Sequence, residues 1–238
     1  MTLILTEQRV RLTCLSEPHM IETLDIDQLV DDLADGTPPA FLTPERICVQ
    51  DLIVVATAEK TGRCLGLLGA RDDMAAGQAF LRLDMACVAP MARGQRLMSR
   101  LLARAAVERV GRTSILAART ATPSWFRALR HFATNLPCVA FHPAPAGAVI
   151  ALRTAALARQ IAGALCPEHR HDLATGVLHG KWTVPTRVLR RHASAEAWCE
   201  AMRDTPPVLA ERLLAVIDLR GVPEATLLAR AGHVASSG

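Results

Sequence analysis

The chain has 238 residues, half of them hydrophobic and 21% charged, with a formal charge of +4. That length buries a proper core as one large domain or a domain with an appendage, and the balance of apolar and charged residues excludes a disordered chain. Nearly all the positive charge is arginine, with Lys60 and Lys181 the only lysines; such a bias follows from a GC-rich genome as readily as from a phosphate-binding surface, so nucleic-acid binding is not implied.

Residues 9–15, RVRLTCL, alternate polar and apolar and predict a first strand. Over 19–34, Met20, Leu24, Leu29, Val30 and Leu33 recur at helical spacing, and Gly36-Thr37-Pro38-Pro39 stops that helix. A loop or short helix over 43–50 leads into a β-hairpin: strand 52–58, a turn on Glu59-Lys60-Thr61-Gly62, and strand 63–71. Strand 79–88, AFLRLDMACV, follows. Its Leu81, Leu83, Met85 and Cys87 share one face, with Arg82, Asp84, Ala86 and Val88 on the other.

A helix from about 94 to 110 comes next. Leu97, Met98, Leu101, Leu102, Ala105 and Ala106 form its apolar stripe, and Arg96, Arg100 and Arg104 lie four apart on another face. Then come strand 114–119, a short helix 123–132 with Pro123 in its first turn, and strand 138–142. Beyond 143 the pattern loosens. A helix is expected over 148–165, loop with a short strand over 166–194, and a helix over 195–203. PPVLAERLLAVIDL, 206–219, suggests another helix, and ATLLARAGHV, 225–234, a final strand.

The seven cysteines are scattered without a CxxC, the pattern of free thiols in a reducing compartment. MTLILTEQRVRL has no basic region followed by a long apolar one, so no signal peptide is expected. No apolar run approaches the ~20 residues that span a membrane. The expectation is a cytoplasmic protein without a membrane partner.

The most informative stretch is VAPMARGQRLMSRLLARAA, 88–106, where a strand ends and a helix begins after an Arg-Gly turn. A helix N-terminus offers unpaired N–H groups and the positive end of the dipole to an anion, and Gly94 allows a tight turn with close backbone approach. On the bland reading Gly94 is only a turn residue and the arginines a solvated face.

The order strand, helix, hairpin, long strand, Arg-Gly turn, helix, strand, short aromatic helix, strand resembles the GNAT acyltransferase superfamily over residues 9–142. That family's cofactor loop reads Arg/Gln-x-x-Gly-x-Gly/Ala after a Val-x-Pro. Here Val88-Ala89-Pro90 and Arg93 match, Gly94 and Gln95 fill the intervening positions, and Arg96 and Met98 stand where the two small residues belong.

The resemblance implies an α/β (α+β) fold with a mixed, mostly antiparallel central sheet flanked by helices. It implies a GNAT-like core over 1–142 and a C-terminal extension over 143–238, with 225–234 returning as the last strand. It also implies acetyl-CoA or another acyl-CoA as co-substrate. The pyrophosphate would sit on backbone N–H groups of Arg93, Gly94, Gln95, Arg96, Leu97 and Met98, and the pantetheine arm would pair with the backbone near Ala86 and Val88. Arg96 would add a charge-assisted contact to a phosphate. The acceptor is a small-molecule or peptide amine, and the extension would shape the acceptor site or a homodimer interface.

Direct acyl transfer needs a neutral amine, a polarised carbonyl and an acid for the leaving thiolate. In the family a tyrosine early in the helix after the fifth strand often serves as that acid; Phe126 occupies the position, and the chain has no tyrosine. Ser124 is the substitute, unless it is only a helix-start hydroxyl. Asp84 is the base candidate, as a buried carboxylate of raised pKa, against an ion pair with Arg82 or Arg119. Asp72 and Asp73 either bind an amine or cap a loop. Cys166, His169 and His171 lie close in sequence but lack a recognisable fourth ligand, so no metal is expected. Two alternatives stand beside acetyl transfer: a longer acyl chain or an acyl carrier protein as donor, and a degenerate GNAT fold acting as a binding or regulatory protein.

Overall fold

The computed structural model describes residues 9–17, 25–33, 42–145, 148, 151–179, 195–201 and 212–232. In chain order the elements begin β1 (Val10–Leu15), α1 (Ile26–Leu33), α2 (Pro44–Cys48), β2 (Leu52–Ala58), β3 (Cys64–Ala75) and β4 (Gln78–Val88). A 3-10 turn over Pro90–Ala92 leads to α3 (Leu97–Glu108), β5 (Ile115–Thr120), α4 (Pro123–Thr134) and β6 (Ala140–His142). The rest is α5 (Leu152–Leu165), β7 (Arg170–His171), β8 (Val177–His179), α6 (Ala195–Ala201), β9 (Arg212–Asp218) and α7 (Glu224–Ala231). The sheet pairings β1–β2, β2–β3, β5–β9, β6–β9, β7–β8 and β8–β9 are all antiparallel, and helices flank the strands.

The chain forms two compact units, one of residues 1–71, 83–109 and 224–238, the other of 72–82 and 110–223. In the first unit the strand order is β1-β2-β3-β4. Val10↔Ala58 through Leu15↔Ile53 align β1 with β2, and Leu52↔Ala70 through Ala56↔Gly66 align β2 with β3. Strict alternation puts Ile53, Val55 and Leu67 on one face, where they pack with Leu29 and Leu33 of α1, Ile47 of α2 and Met85 of β4. The opposite face carries Ala56 and Gly66 beneath α3. A Cβ on Gly66 would lie 3.1 Å from Cys87 O, 3.2 Å from Leu101 Cδ1 and 3.3 Å from Leu97 Cδ2, so the helix reaches the sheet because that residue has no side chain.

Asp32, at the end of α1, accepts from Cys64 N at 2.6 Å and pairs with Arg63 Nε at 3.2 Å. This carboxylate therefore fixes the start of β3. Of the residues expected on α1, Leu29 and Leu33 are buried; Met20, Leu24 and the 36–39 stop lie outside the described residues. On α3 the buried stripe is Leu97, Leu101, Leu102, Ala105 and Ala106, joined by Ser99 and Ala103, while Met98 is half-exposed.

In the second unit β9 is the organising strand. β5 pairs along one edge, from Ile115↔Asp218 to Thr120↔Leu213. The other edge is shared: β6 takes Val216–Asp218 and β8 takes Arg212–Leu213. Leu214 and Val216 bury against Leu157, Ala158 and Ile161 of α5, with Ile115, Ala117 and Leu178.

Two expectations are corrected here. The helix suggested over 206–219 is strand β9 from Arg212 onward, its earlier residues lying outside the described set. Leu213–Asp218 is buried on both faces, so the run has no alternation to separate it from a buried helix segment. The strand expected over 225–234 is helix α7, in which Leu227 and Ala231, four apart, are the buried positions. Residues 233 and 234 lie outside the described set. Among the described residues no helix is long and apolar enough to cross a membrane, and all seven cysteines are free thiols.

Candidate functional site

The turn between β4 and α3 is built from backbone. Ala89 N donates to Leu65 O at 2.9 Å, which ends β4 against β3, and Pro90–Ala92 make one 3-10 turn closed by Arg93 N to Pro90 O at 3.2 Å. The next internal bond is Arg100 N to Arg96 O, also at 3.2 Å, inside α3. Between them lie the amides of Gly94 to Ser99. Arg96 is the N-cap of this 12-residue helix, with φ 57° and ψ 18° and no side-chain cap hydrogen bond.

Gly94 has φ 78° and Arg96 φ 57°, two left-handed residues separated by Gln95. Arg93 before them is extended, with φ -66° and ψ 150°, and Leu97 after them begins α3. Glycine is the residue that takes a left-handed φ without strain. Arg96 takes it with a Cβ.

The site residues expected from the sequence fall out as follows. Gly94, Gln95 and Arg96 are exposed on the turn, Leu97 is buried in the core, and Met98 is half-buried. Arg93 corrects the expectation in two ways. Its N–H is used within the 3-10 turn, which leaves 94–98 of the expected donor set, and its Nε donates to Val88 O at 3.4 Å. The carbonyl expected to pair with a ligand's amide thus already accepts from an exposed guanidinium. Gln95 Nε2 donates to Met91 O at 3.1 Å, bracing the turn from outside. Ala86 and Val88 are half-buried on the outward face of β4, as their alternation with Met85 and Cys87 requires.

Asp84 lies on that same face, four residues before Val88, about 13 Å along an extended strand. The expectation that it is buried is corrected, since it is exposed. The ion-pair partner also differs: Arg71 Nε lies 4.0 Å from Asp84 Oδ2, whereas Arg82 binds Asp73 at 2.8 Å. Arg71 closes the strand expected over 63–71, and nothing in its spacing marked it as facing Asp84. Asp73 also accepts from Met74 N at 2.8 Å, which is a strand-end role.

Ser124 belongs to the second unit, exposed in the first turn of α4 after Thr122 and Pro123. Phe126 is buried and its ring centroid lies 5.8 Å from that of Phe141, so it is a core residue. Arg119 donates to Cys166 Sγ at 3.4 Å. Among the described residues no group of three or more His, Cys, Asp or Glu is placed to hold a metal ion. Sequence reasoning also missed the part-buried contact of His142 Nε2 with His171 Nε2 at 3.1 Å; the residues are 29 apart and no motif joins them.

No protein-family model matches the chain. No curated protein sequence matches it either. Among solved structures, an IAA acetyltransferase from Bacillus cereus is similar at 10% identity, over 87% of this chain and 98% of that one, with a TM-score of 0.41. N-acetylglutamate synthase from Neisseria gonorrhoeae, complexed with coenzyme A and N-acetyl-glutamate, is similar at 14% identity, over 62% of this chain and 32% of that one, with a TM-score of 0.38. An acetyltransferase of the GNAT family from Streptococcus pneumoniae is similar at 16% identity, over 59% of this chain and 94% of that one, with a TM-score of 0.35. All three are similar at identities too low to transfer any residue's role.

Proposed function

We propose that this protein is a CoA-dependent N-acyltransferase, with acetyl-CoA as donor and an amine as acceptor, working by direct transfer. The observation that carries the reading is the left-handed pair at Gly94 and Arg96 ahead of a helix with no side-chain cap hydrogen bond. It supports a pyrophosphate held by the amides of 94–98, with the helix dipole adding to the attraction. The Arg96 guanidinium adds a charge-assisted contact to the same phosphates. The chemistry of the donor set fits a phosphate and does not depend on small side chains.

From that anchor the donor extends along β4 toward Asp84. Val88 O is freed for it when Arg93 Nε lets go, at small cost because the bond is long and exposed. The amine nitrogen attacks the thioester carbonyl, the carbon–sulfur bond breaks, and the CoA thiolate takes a proton from water. Asp84 receives the amine's proton, directly or through water, and Arg71 beside it orients the carboxylate. Positioning supplies most of the acceleration in such a transfer.

The test is calorimetric titration with acetyl-CoA, followed by thiol release across a panel of amines. Saturable binding and amine-dependent release support the proposal. No saturable binding at millimolar acetyl-CoA overturns it. Binding without release for acetyl-CoA, but with release for longer acyl-CoAs, redirects it to the longer-chain alternative.

A further inference from the structure

We propose that the His142–His171 pair is a proton-operated latch, and that acidification frees the β7–β8 hairpin from β6. The two Nε2 atoms lie 3.1 Å apart and the rings meet edge to face, with centroids 5.1 Å apart. His142 is fully buried at the end of β6, opposite Val216 of β9, and so faces α5; Phe141, next to it, turns the other way onto Phe126 of α4. His171 stands opposite Leu178, which packs in the same α5-side core. The hairpin also approaches the end of β6 at a second point. This is Gly176, where a Cβ would lie 2.9 Å from Pro143 Cγ.

Proton counting makes the contact a switch. Two neutral imidazoles carry two ring protons, and one Nε2–H donates to the other Nε2. Nδ1 of each ring is buried with no partner among the described residues. One of these Nδ1 atoms therefore holds a proton without an acceptor, so the closed pair is already costly to keep dry. A third proton puts a cation inside the core. A fourth leaves two N–H groups facing each other and no hydrogen bond.

The charged groups around the pair come from each neighbouring element. Asp172, adjacent on the hairpin, favours the charged rings, while Arg159 of α5 and His179 of β8 oppose them. Arg170 and His179 sit opposite one another on the reverse face of the hairpin. Asp218 of β9 is held by Arg220 and lies within electrostatic reach of Arg153 of α5. On the Phe141 side, Arg130 of α4 is paired with Glu196 of α6.

Burial dominates this balance. It pushes His142 down to about 3, with His171 adding to the shift, and pushes His171 down to about 4. Both closed-state values lie below the ordinary one, so the closed form has its full stability above about pH 6.5 and loses it as the pH falls. Taking up to two protons on opening raises the open fraction about 500-fold between pH 7 and pH 5.

Hydrogen exchange of segment 170–179, corrected for intrinsic rates, tests this on the full chain at pH 7 and pH 5. The expected result is a rise of at least about 100-fold in the wild-type opening constant. His171→Gln keeps an amide in place of the ring but removes one titration, so its response falls to about 25-fold. An unchanged wild-type opening constant, or a His171→Gln variant with the full wild-type response, overturns the proposal. A second measurement needs no variant. If the ring signals of His142 and His171 titrate near 6.5 while the hairpin amides stay protected, the rings are charged without opening and the latch does not exist.

Discussion

Replacing Arg96 with glycine stabilises this protein. The residue sits at φ 57° and ψ 18°, its side chain caps nothing, and it is exposed. A Cβ in that region costs about 1–2 kcal/mol from its clash with the following carbonyl. Glycine gives back about 0.4–1 kcal/mol through the greater freedom of its unfolded chain. The net gain is about 1 kcal/mol, or a rise in Tm of about 2–4 °C for a chain of this size. Arg96→Ala is the control: it removes the same guanidinium but keeps the Cβ, so its Tm stays within about 2 °C of wild type. Thermal unfolding of the three proteins, side by side, decides the matter. A glycine variant no more stable than the alanine variant refutes the assignment of a left-handed turn, and with it the backbone grip proposed for phosphate. In acetyl-CoA titrations, Arg96→Gly weakens binding by about tenfold or less, because only one charge-assisted contact is lost.

Three further outcomes follow from the same geometry. Asp84→Asn lowers kcat by about 100-fold or more while leaving acetyl-CoA affinity unchanged; unaltered turnover by an Asn variant removes Asp84 from the mechanism. Gly66→Ala pushes α3 away from Cys87 O, Leu101 and Leu97 and costs about 1–3 kcal/mol in denaturant unfolding, whereas Gly77→Ala meets no side chain and loses only what its positive φ demands. Among the thiols, exposed Cys48 and Cys138 are labelled first by iodoacetamide at neutral pH. Cys64 and Cys199, pushed up to about 12 and about 11 by burial, react only on unfolding, as peptide mass spectrometry would show.

What the sequence made legible was periodic. Strand 52–58, strand 79–88 and the stripe of Leu97, Leu101 and Leu102 each announce a face, and each is found within a residue or two of its expected bounds. Leu213 to Ile217 announce no face, because both sides of β9 are covered, and α7 is too short for its pattern to outweigh an apolar run. Asp84 was assigned to the right face of β4 but to the wrong environment; alternation gives the side a residue points to and not the depth of what lies there. The left-handed backbone at Arg96 was not legible either, because an arginine gives no sign of a positive φ. The imidazole contact between His142 and His171 needed the coordinates, since it depends on how β6 and a distant hairpin meet.

β9 also has a bearing on how the chain is made. β5, β6 and β8 all hydrogen-bond to it, yet it is synthesised after all three. The first unit waits longer still, because α3 packs against α7, which emerges later than β9. A nascent chain that has not reached residue 212 therefore carries β5 and β6 with bare edges, and neither unit is complete by then. Contacts this distant along the chain slow folding and lengthen the exposure of those edges. On the ribosome the most vulnerable moment therefore falls just before β9 appears.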